Sequence, residues 1–466
     1  MPGYPVMQNY AMHMQQAQMY NAQMQAAQMY GGMTAPAPGM CEAQIPPLER
    51  PHAALAPVSV QQPVLLTTFS YDAQKNLLFD DSAKRWYHEP PTKASGHAAD
   101  LNYGFEHYHD KPHIPDPLDS VLYTIMERAS GAPSRASVNG VPIVPAETVD
   151  NEILRMHVVT WRGIMTKLCT AWSLQSDGPP QFREGFELNA MMVKYYGRSF
   201  ESYCTRDSPD AHDADKPFSA SCPPGWGGEV NQNVQWCHIV KTRLGNSRIL
   251  LGGEVDCVEG DDDTEHVVEL KTSMQPNGAR DETNLRVKML RMYMQSFLLG
   301  VRTLVIGFRD AHGMLLDHKR YRTTDLPRLV RGQPGQWNAN DNLAYGAHII
   351  SYIRRAVAFE TEQWLLYACN ALRGREAREG AYPWRVHRSS GGGFLSHLPL
   401  PAASEAVYEY PVFRISLQPP FSHVSIRRVP RGELALDGRR ANRCGIVPAA
   451  FYEWATEPIE RVNMYI

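Results

Sequence analysis

The sequence predicts an α+β fold, a mixed but largely antiparallel twisted sheet with flanking helices, and three observations carry that prediction. Between Val234 and Thr323, strand-like runs alternate with turn residues in regular order. Stretches of helical periodicity, Arg183 to Cys204 and Asn284 to Leu299, interrupt the strands rather than preceding them as a block. A composition of 43% hydrophobic and 20% charged residues over a 466-residue chain is enough for a substantial core.

The elements follow in chain order. From Met1 to about Ala43 the chain is almost entirely Met, Gln, Ala, Tyr, Gly and Pro, and Ala17-Gln18-Met19-Tyr20 returns as Ala27-Gln28-Met29-Tyr30. Such a segment has no sustained apolar face to offset chain entropy, so residues 1–62 read as a disordered tail and proline-rich linker. Residues 63–400 read as the main domain and 401–466 as a C-terminal extension. The domain opens on Val64 to Tyr71, rich in strand formers, followed by a helix from Asp119 to about Arg128 and a strand from Ile153 to Trp161. The helix Arg183 to Cys204 places Glu201 on a helical face. Val234 to Arg243 and Arg248 to Val258 make a hairpin around Leu244-Gly245-Asn246-Ser247, and an acidic turn at Asp261 to Asp263 leads to a strand at Val267 to Thr272. The helix Asn284 to Leu299, strands at Thr303 to Phe308 and Met314 to Arg322, and a helix from about Leu343 to Leu372 complete the pattern.

Bulk properties exclude several classes. A formal charge of -3 gives no overall basic field, so a polyanion would need a local groove. The eight cysteines are scattered without a CxxC pair, as expected of reduced thiols. No lysine or arginine precedes Arg50 and no apolar run is long enough to span a bilayer, so a soluble cytoplasmic or nuclear protein is expected. There is no GxxxxGK[ST] phosphate loop, GxSxG elbow or HExxH helix. His107, His109 and His113 cluster in a proline-flanked loop and read as surface residues.

Chemistry concentrates in Gly253-Glu254-Val255-Asp256-Cys257 and Val268-Glu269-Leu270-Lys271-Thr272. Side chains two apart on a strand share a face, so Glu254 projects with Asp256, and Glu269 with Lys271. If the two strands are neighbours across the acidic turn, three carboxylates and an ammonium meet on an exposed surface. Carboxylates so packed repel unless a cation sits among them, and Mg²⁺ or Mn²⁺ suits an all-oxygen set. The bland alternative is a solvated sheet face with alternating charges. Against it, the helix Asn284 to Leu299 offers Lys288, Arg291 and Gln295 on one side, and Trp161-Arg162-Gly163 ends a strand with an arginine suited to clamp a phosphate. An acidic residue followed on the next strand by Glu-x-Lys resembles the core of the PD-(D/E)xK nucleases.

More of the chain carries a narrower resemblance. Val158 to Gly163, Tyr196-Gly197-Arg198-Ser199-Phe200-Glu201, Gly253 to Asp256, Glu269 to Lys271 and Met294-Gln295-Ser296-Phe297 occur in order, with Phe69 to Asp72, Arg85-Trp86-Tyr87, Asn231 to Cys237 and Arg243 to Asn246 around them. Over about residues 64 to 357 the chain resembles the DXO and Rai family of RNA 5′-end decapping nucleases, and its fungal Rai-type branch in particular. That resemblance implies that Glu201, Glu254, Asp256 and Glu269, with the carbonyl of Leu270, hold divalent metal ions. It implies that Lys271 and Gln295 orient water and the scissile phosphate, and that Arg85, Trp161, Arg162, Gly163 and Cys237 bind substrate. The implied activity is hydrolysis at RNA 5′ ends: removal of incomplete caps, release of pyrophosphate from 5′-triphosphate RNA, and in several members removal of a nicotinamide dinucleotide (NAD) cap or 5′-to-3′ degradation. Fungal members also stabilise a nuclear 5′-to-3′ exoribonuclease, which makes a scaffold the alternative role and the nucleus the implied location. A DNA nuclease with the same metal chemistry is a third reading, because the carboxylates cannot sense a 2′-hydroxyl.

Overall fold

A computed structural model of the chain describes residues 48–49, 55–93, 96–111, 118–129, 156–173, 186–209, 221–260, 264–355, 413–418 and 423–428. The Met/Gln-rich tail before residue 48, His113, the first residues of the strand and helix expected from Ile153 and Arg183, and the helix expected beyond residue 355 lie outside these. Among the described residues no helix is long and apolar enough to cross a membrane.

The described residues belong to two compact units. In the smaller, β1 (Leu48–Glu49) lies within the segment expected to be linker and pairs with a hairpin that the extension did not advertise, β13 (Phe413–Gln418) and β14 (His423–Arg428). The larger unit holds β2 (Val60–Tyr71), β3 (Leu77–Leu78), β4 (Trp86–Tyr87), α1 (Asp119–Ala129), β5 (Val158–Trp161), α2 (Arg162–Thr170), α3 (Phe186–Cys204) and β6 (Thr205–Arg206). It continues through β7 (Gln235–Leu244), β8 (Ser247–Val255), β9 (Cys257–Glu259), β10 (His266–Met274), α4 (Ala279–Leu299), β11 (Thr303–Arg309) and β12 (Leu315–Arg322).

These strands form two mixed sheets rather than the one expected, in the orders β3-β2-β7-β8-β5 and β12-β11-β10-β9-β4-β6. The β7–β8 hairpin has the anticipated register, Leu244 opposite Ser247, with Gly245 at a left-handed φ of 57° in the first central position of its two-residue turn. The β2 strand starts at Val60, four residues early, because bulges between Gln61 and Val64 and between Leu65 and Thr67 absorb Pro63, which has no N–H for the ladder. The continuous strand expected from Arg248 to Val258 is broken at Asp256, whose carboxylate accepts the Leu270 N–H at 2.7 Å in place of a ladder carbonyl. There the chain leaves one sheet for the other: β9, the tail of the expected strand, pairs antiparallel with β10 across the acidic turn, whereas β8 lies in the other sheet and the second neighbour of β10 is β11.

Val268, Leu270 and Val305 share one buried cluster with Tyr195, Tyr196, Phe200 and Tyr203 of α3. The approach is close at Gly307 on β11, where an added Cβ would lie 2.5 Å from the Phe200 ring. Gly307→Ala therefore overpacks the seat of the helix that carries Glu201. We expect a loss of about 2 kcal/mol in urea unfolding.

One buried histidine makes stability pH-dependent. His238 on β7 is 3% exposed, edge-on to Trp236 at 4.5 Å between centroids, and its Nε2 has no hydrogen-bond partner among the described residues. Burial brings its pKa down to about 3. The folded state thus keeps it neutral while the unfolded chain takes up a proton below about pH 6.5, so its effect is absent at pH 7 and destabilising on acidification. The stability difference between wild type and His238→Gln should move by about 2 kcal/mol, in the variant's favour, between pH 7 and 5. A difference constant with pH would contradict this.

Candidate active site

Four elements bring the charged groups together: the end of β8 and the break after it, the middle of β10, the start of α2, and the last turns of α3. Glu254 and Asp256 come from the first, Glu269 and Lys271 from the second, Arg162 from the third, and Arg198 and Glu201 from the fourth. β5 pairs parallel with β8 to place Trp161 opposite Gly252, where a Cβ would lie only 3.1 Å from the indole. The chain then turns into α2 at Arg162. Gly253 likewise leaves room for Arg162, whose Cβ would be 3.1 Å from a Cβ at that position.

Ion pairs knit the cluster. Arg162 Nη1 donates to Glu269 Oε2 at 2.7 Å, and Lys271 Nζ donates to Glu269 Oε1 at 2.6 Å and to the Leu270 carbonyl at 3.0 Å. Lys271 also lies 3.9 Å from Asp256. Arg198 Nη1 bridges Glu201 Oε2 at 2.9 Å and Glu254 Oε1 at 3.2 Å. The carboxylates are not the exposed surface expected from the sequence: the side chains of Asp256 and Glu269 are 6% and 1% exposed.

Burial and mutual repulsion set their ionisation apart. Burial and then the Glu269 charge push the Asp256 pKa well above the usual carboxylate range. For Glu269 burial pulls in the same direction but is outweighed by Arg162 and Lys271, which bring it down to about 2. Burial raises Glu201 against the pull of Arg198, whereas in Glu254 the Arg198 and Lys111 charges outweigh burial and lower it. Four carboxylates thus face three paired cations, with Asp256 the least satisfied.

Among the described residues no three acidic, histidine or cysteine side chains stand at metal-ligating spacing. Arg198 and Lys271 lie between the carboxylates instead. The donor set is nevertheless all hard oxygen, and a divalent cation would favour the ionised form of Asp256 that burial and Glu269 oppose, so the chemistry of the residues fits Mg²⁺ or Mn²⁺.

Other residues singled out in the sequence lie at varying distance from this cluster. Cys237 is buried on β7 directly opposite Glu254. Gly163 is exposed in the first turn of α2, where N–H groups lack intrahelical acceptors. Gln295 is half-buried on α4 and has no hydrogen bond to the carboxylates among the described residues, and Lys288 and Arg291 are exposed. Arg85 turns to Asp207 and the Gly227 carbonyl. Sequence reasoning passed over Arg198, although its place three residues before Glu201 on a helix puts the two on one face.

Comparison with known proteins shows the family of the chain. The model of the RAI1 like PD-(D/E)XK nuclease family matches residues 61–194 and 175–379. A relative from Mycosarcoma maydis named Decapping nuclease RAI1 is 33% identical, covering 85% of this chain and 88% of its own. The human Decapping and exoribonuclease protein is 30% identical over 64% of this chain and 76% of its own. In fold, the chain is similar to the crystal structure of Candida albicans Rai1 in complex with pU5-Mn2+, with a TM-score of 0.59 at 17% identity, covering 88% of this chain and 99% of that one. With a family model matched over well more than half of the chain, and the Mycosarcoma maydis relative 33% identical over 85% of it, the chain belongs to the RAI1-like PD-(D/E)XK nuclease family.

Proposed function

We propose that the protein is a divalent-metal phosphohydrolase that removes defective RNA 5′ ends, by decapping incompletely capped RNA and by releasing pyrophosphate from 5′-triphosphate RNA. The observation that carries this reading is the convergence of Glu254, Asp256, Glu269 and Lys271 at the break between the two sheets, with Arg162 and Arg198 beside them. Relatives named as decapping nucleases support it, as does the Mn²⁺ and pU5 in the Candida albicans structure.

Glu201, Glu254, Asp256 and Glu269 would hold the metal, with the Leu270 carbonyl beside them. When bound, such an ion supplies charge neutralisation on the phosphoryl group and an acidified water. The chain's own residues do the rest. Lys271, steered by Glu269 and the Leu270 carbonyl, keeps a fixed positive charge where negative charge grows on the phosphate. Arg162 is held rigid by Glu269, and the N–H groups of the first turn of α2 add donors suited to phosphate. NAD-cap removal and 5′-to-3′ degradation are further activities within the same chemistry, and the exoribonuclease partner would use a surface apart from these carboxylates.

The test is product analysis with Mg²⁺ or Mn²⁺ on RNAs carrying a 5′ triphosphate, an unmethylated cap, a methylated cap, an NAD cap or a monophosphate. Release of intact cap or pyrophosphate by wild type supports the reading. Activity on matched DNA alone, or no product from any RNA, counts against it.

A further inference from the structure

The turn between β2 and β3 holds the only non-glycine residue in the left-handed region among those described, Lys75 at φ 66°. A lysine is an unfavourable choice there, since glycine or asparagine adopts that conformation more easily, and Asn76 stands one position too late. The surroundings fix it firmly. Asp72 accepts the Gln74 and Asn76 N–H groups at 2.9 and 2.8 Å, the Lys75 N–H donates to the Asp72 carbonyl at 3.0 Å, and the Asn233 amide donates to the Ala73 carbonyl at 3.1 Å. Backbone strain held this tightly is characteristic of positions where a side chain must point one way.

The direction taken by Lys75 leads to the active site. Its ammonium lies 4.0 Å from the centroid of the buried Tyr71 ring and donates to Gln235 Oε1. Gln235 in turn is close enough to Glu254 to help hold its pKa down. Tyr71 pairs with Gln235, and Cys237 on the same face of β7 pairs with Glu254, so Lys75, Gln235 and Glu254 form a line across one sheet face. Lys111 also brings its charge near Glu254. Arg162, Arg198 and Lys271 contact the carboxylates directly, and Lys75 meets the same sheet face through Gln235.

We infer that Lys75 is a substrate-positioning residue that holds a backbone phosphate of the single-stranded RNA passing Glu254, and that this is why a lysine is kept in a strained turn. The inference rests on the RNA 5′-end reading. An ammonium fixed by a ring and an amide gives a phosphate contact without sequence preference, as required for a substrate defined by its end.

The experiment compares Lys75→Gly, which suits the backbone, with Lys75→Arg, which keeps the charge. Binding to oligomers of one sequence, bearing a 5′ triphosphate or a 5′ hydroxyl, is followed by fluorescence anisotropy across salt concentrations in an Asp256→Asn background without added metal, so that hydrolysis during the measurement is negligible. Lys75→Gly should weaken binding to both oligomers about tenfold. Its slope of log affinity against log salt should fall by about 0.7, the loss of one single-strand phosphate contact, while Lys75→Arg stays near the parent. Unchanged affinity and slope in Lys75→Gly, an equal loss in Lys75→Arg, or a loss confined to the triphosphate oligomer would each overturn the inference. Failure of the decapping reading shows separately, as wild type that releases no cap or pyrophosphate.

Discussion

Asp256→Asn is expected to lower hydrolysis of 5′-triphosphate RNA on the order of a thousandfold while leaving the fold as stable as wild type, or more so. The two halves of that expectation have different causes. Asp256 is the carboxylate whose ionisation is most opposed, first by burial and then by Glu269. A carboxyl whose folded pKa lies above its unfolded value weakens folding once pH rises past the unfolded value, so at pH 7 its charge is a cost. Asparagine removes the charge but keeps a carbonyl oxygen to accept the Leu270 N–H, which alanine would leave buried and unpaired. Stability without metal should therefore hold or rise by about 1 kcal/mol, an exchange of stability for function familiar at active sites. Added Mn²⁺ should raise the Tm of wild type, since a ligand bound only by the folded state stabilises it, and should leave Asp256→Asn nearly unmoved. Retention of both activity and the metal-induced shift would remove Asp256 from the site.

The depth of Asp256 was not legible in the sequence, and the reason is local. Alternation of Glu254, Val255 and Asp256 reads as one strand with an acidic, solvated face, and nothing in the spacing announces a side chain accepting a ladder N–H where two sheets meet. Hairpins and long helices were legible because they rest on short-range rules: a glycine at a two-residue turn, and apolar periodicity along α3 and α4. The start of α4 at Ala279 rather than Asn284 is also local in cause, since Gly278 precedes a first turn containing Asp281 and Glu282, whose charges suit a helix N-terminus. Sheet membership is a long-range property, and it was missed. At the site, the residue types in the two β-strand motifs placed Glu254, Asp256, Glu269 and Lys271 together, whereas Arg198 needed helical spacing to be applied to the Gly197 to Glu201 motif. Arg85 shows the opposite limit: its type suits a phosphate, yet Asp207 and the Gly227 carbonyl claim its guanidinium.

Arg162 provides the second large effect, on stability as well as catalysis. Its guanidinium is buried against Glu269, which is 1% exposed and ionised down to a pH of about 2. Arg162→Met keeps much of the side-chain volume but leaves Glu269 with Lys271 as its remaining cation at 2.6 Å, so part of a buried charge goes uncompensated. We expect a loss of about 3 kcal/mol in urea unfolding at pH 7, because removing one partner of a buried ion pair costs more than the pair itself contributes. Adding Glu269→Gln neutralises the stranded carboxylate, and the double variant should recover at least half of that loss while remaining without hydrolytic activity. A double variant less stable than Arg162→Met would mean that Glu269 is satisfied chiefly by Lys271, and that Arg162 is held in place by its packing against Gly253 rather than by charge.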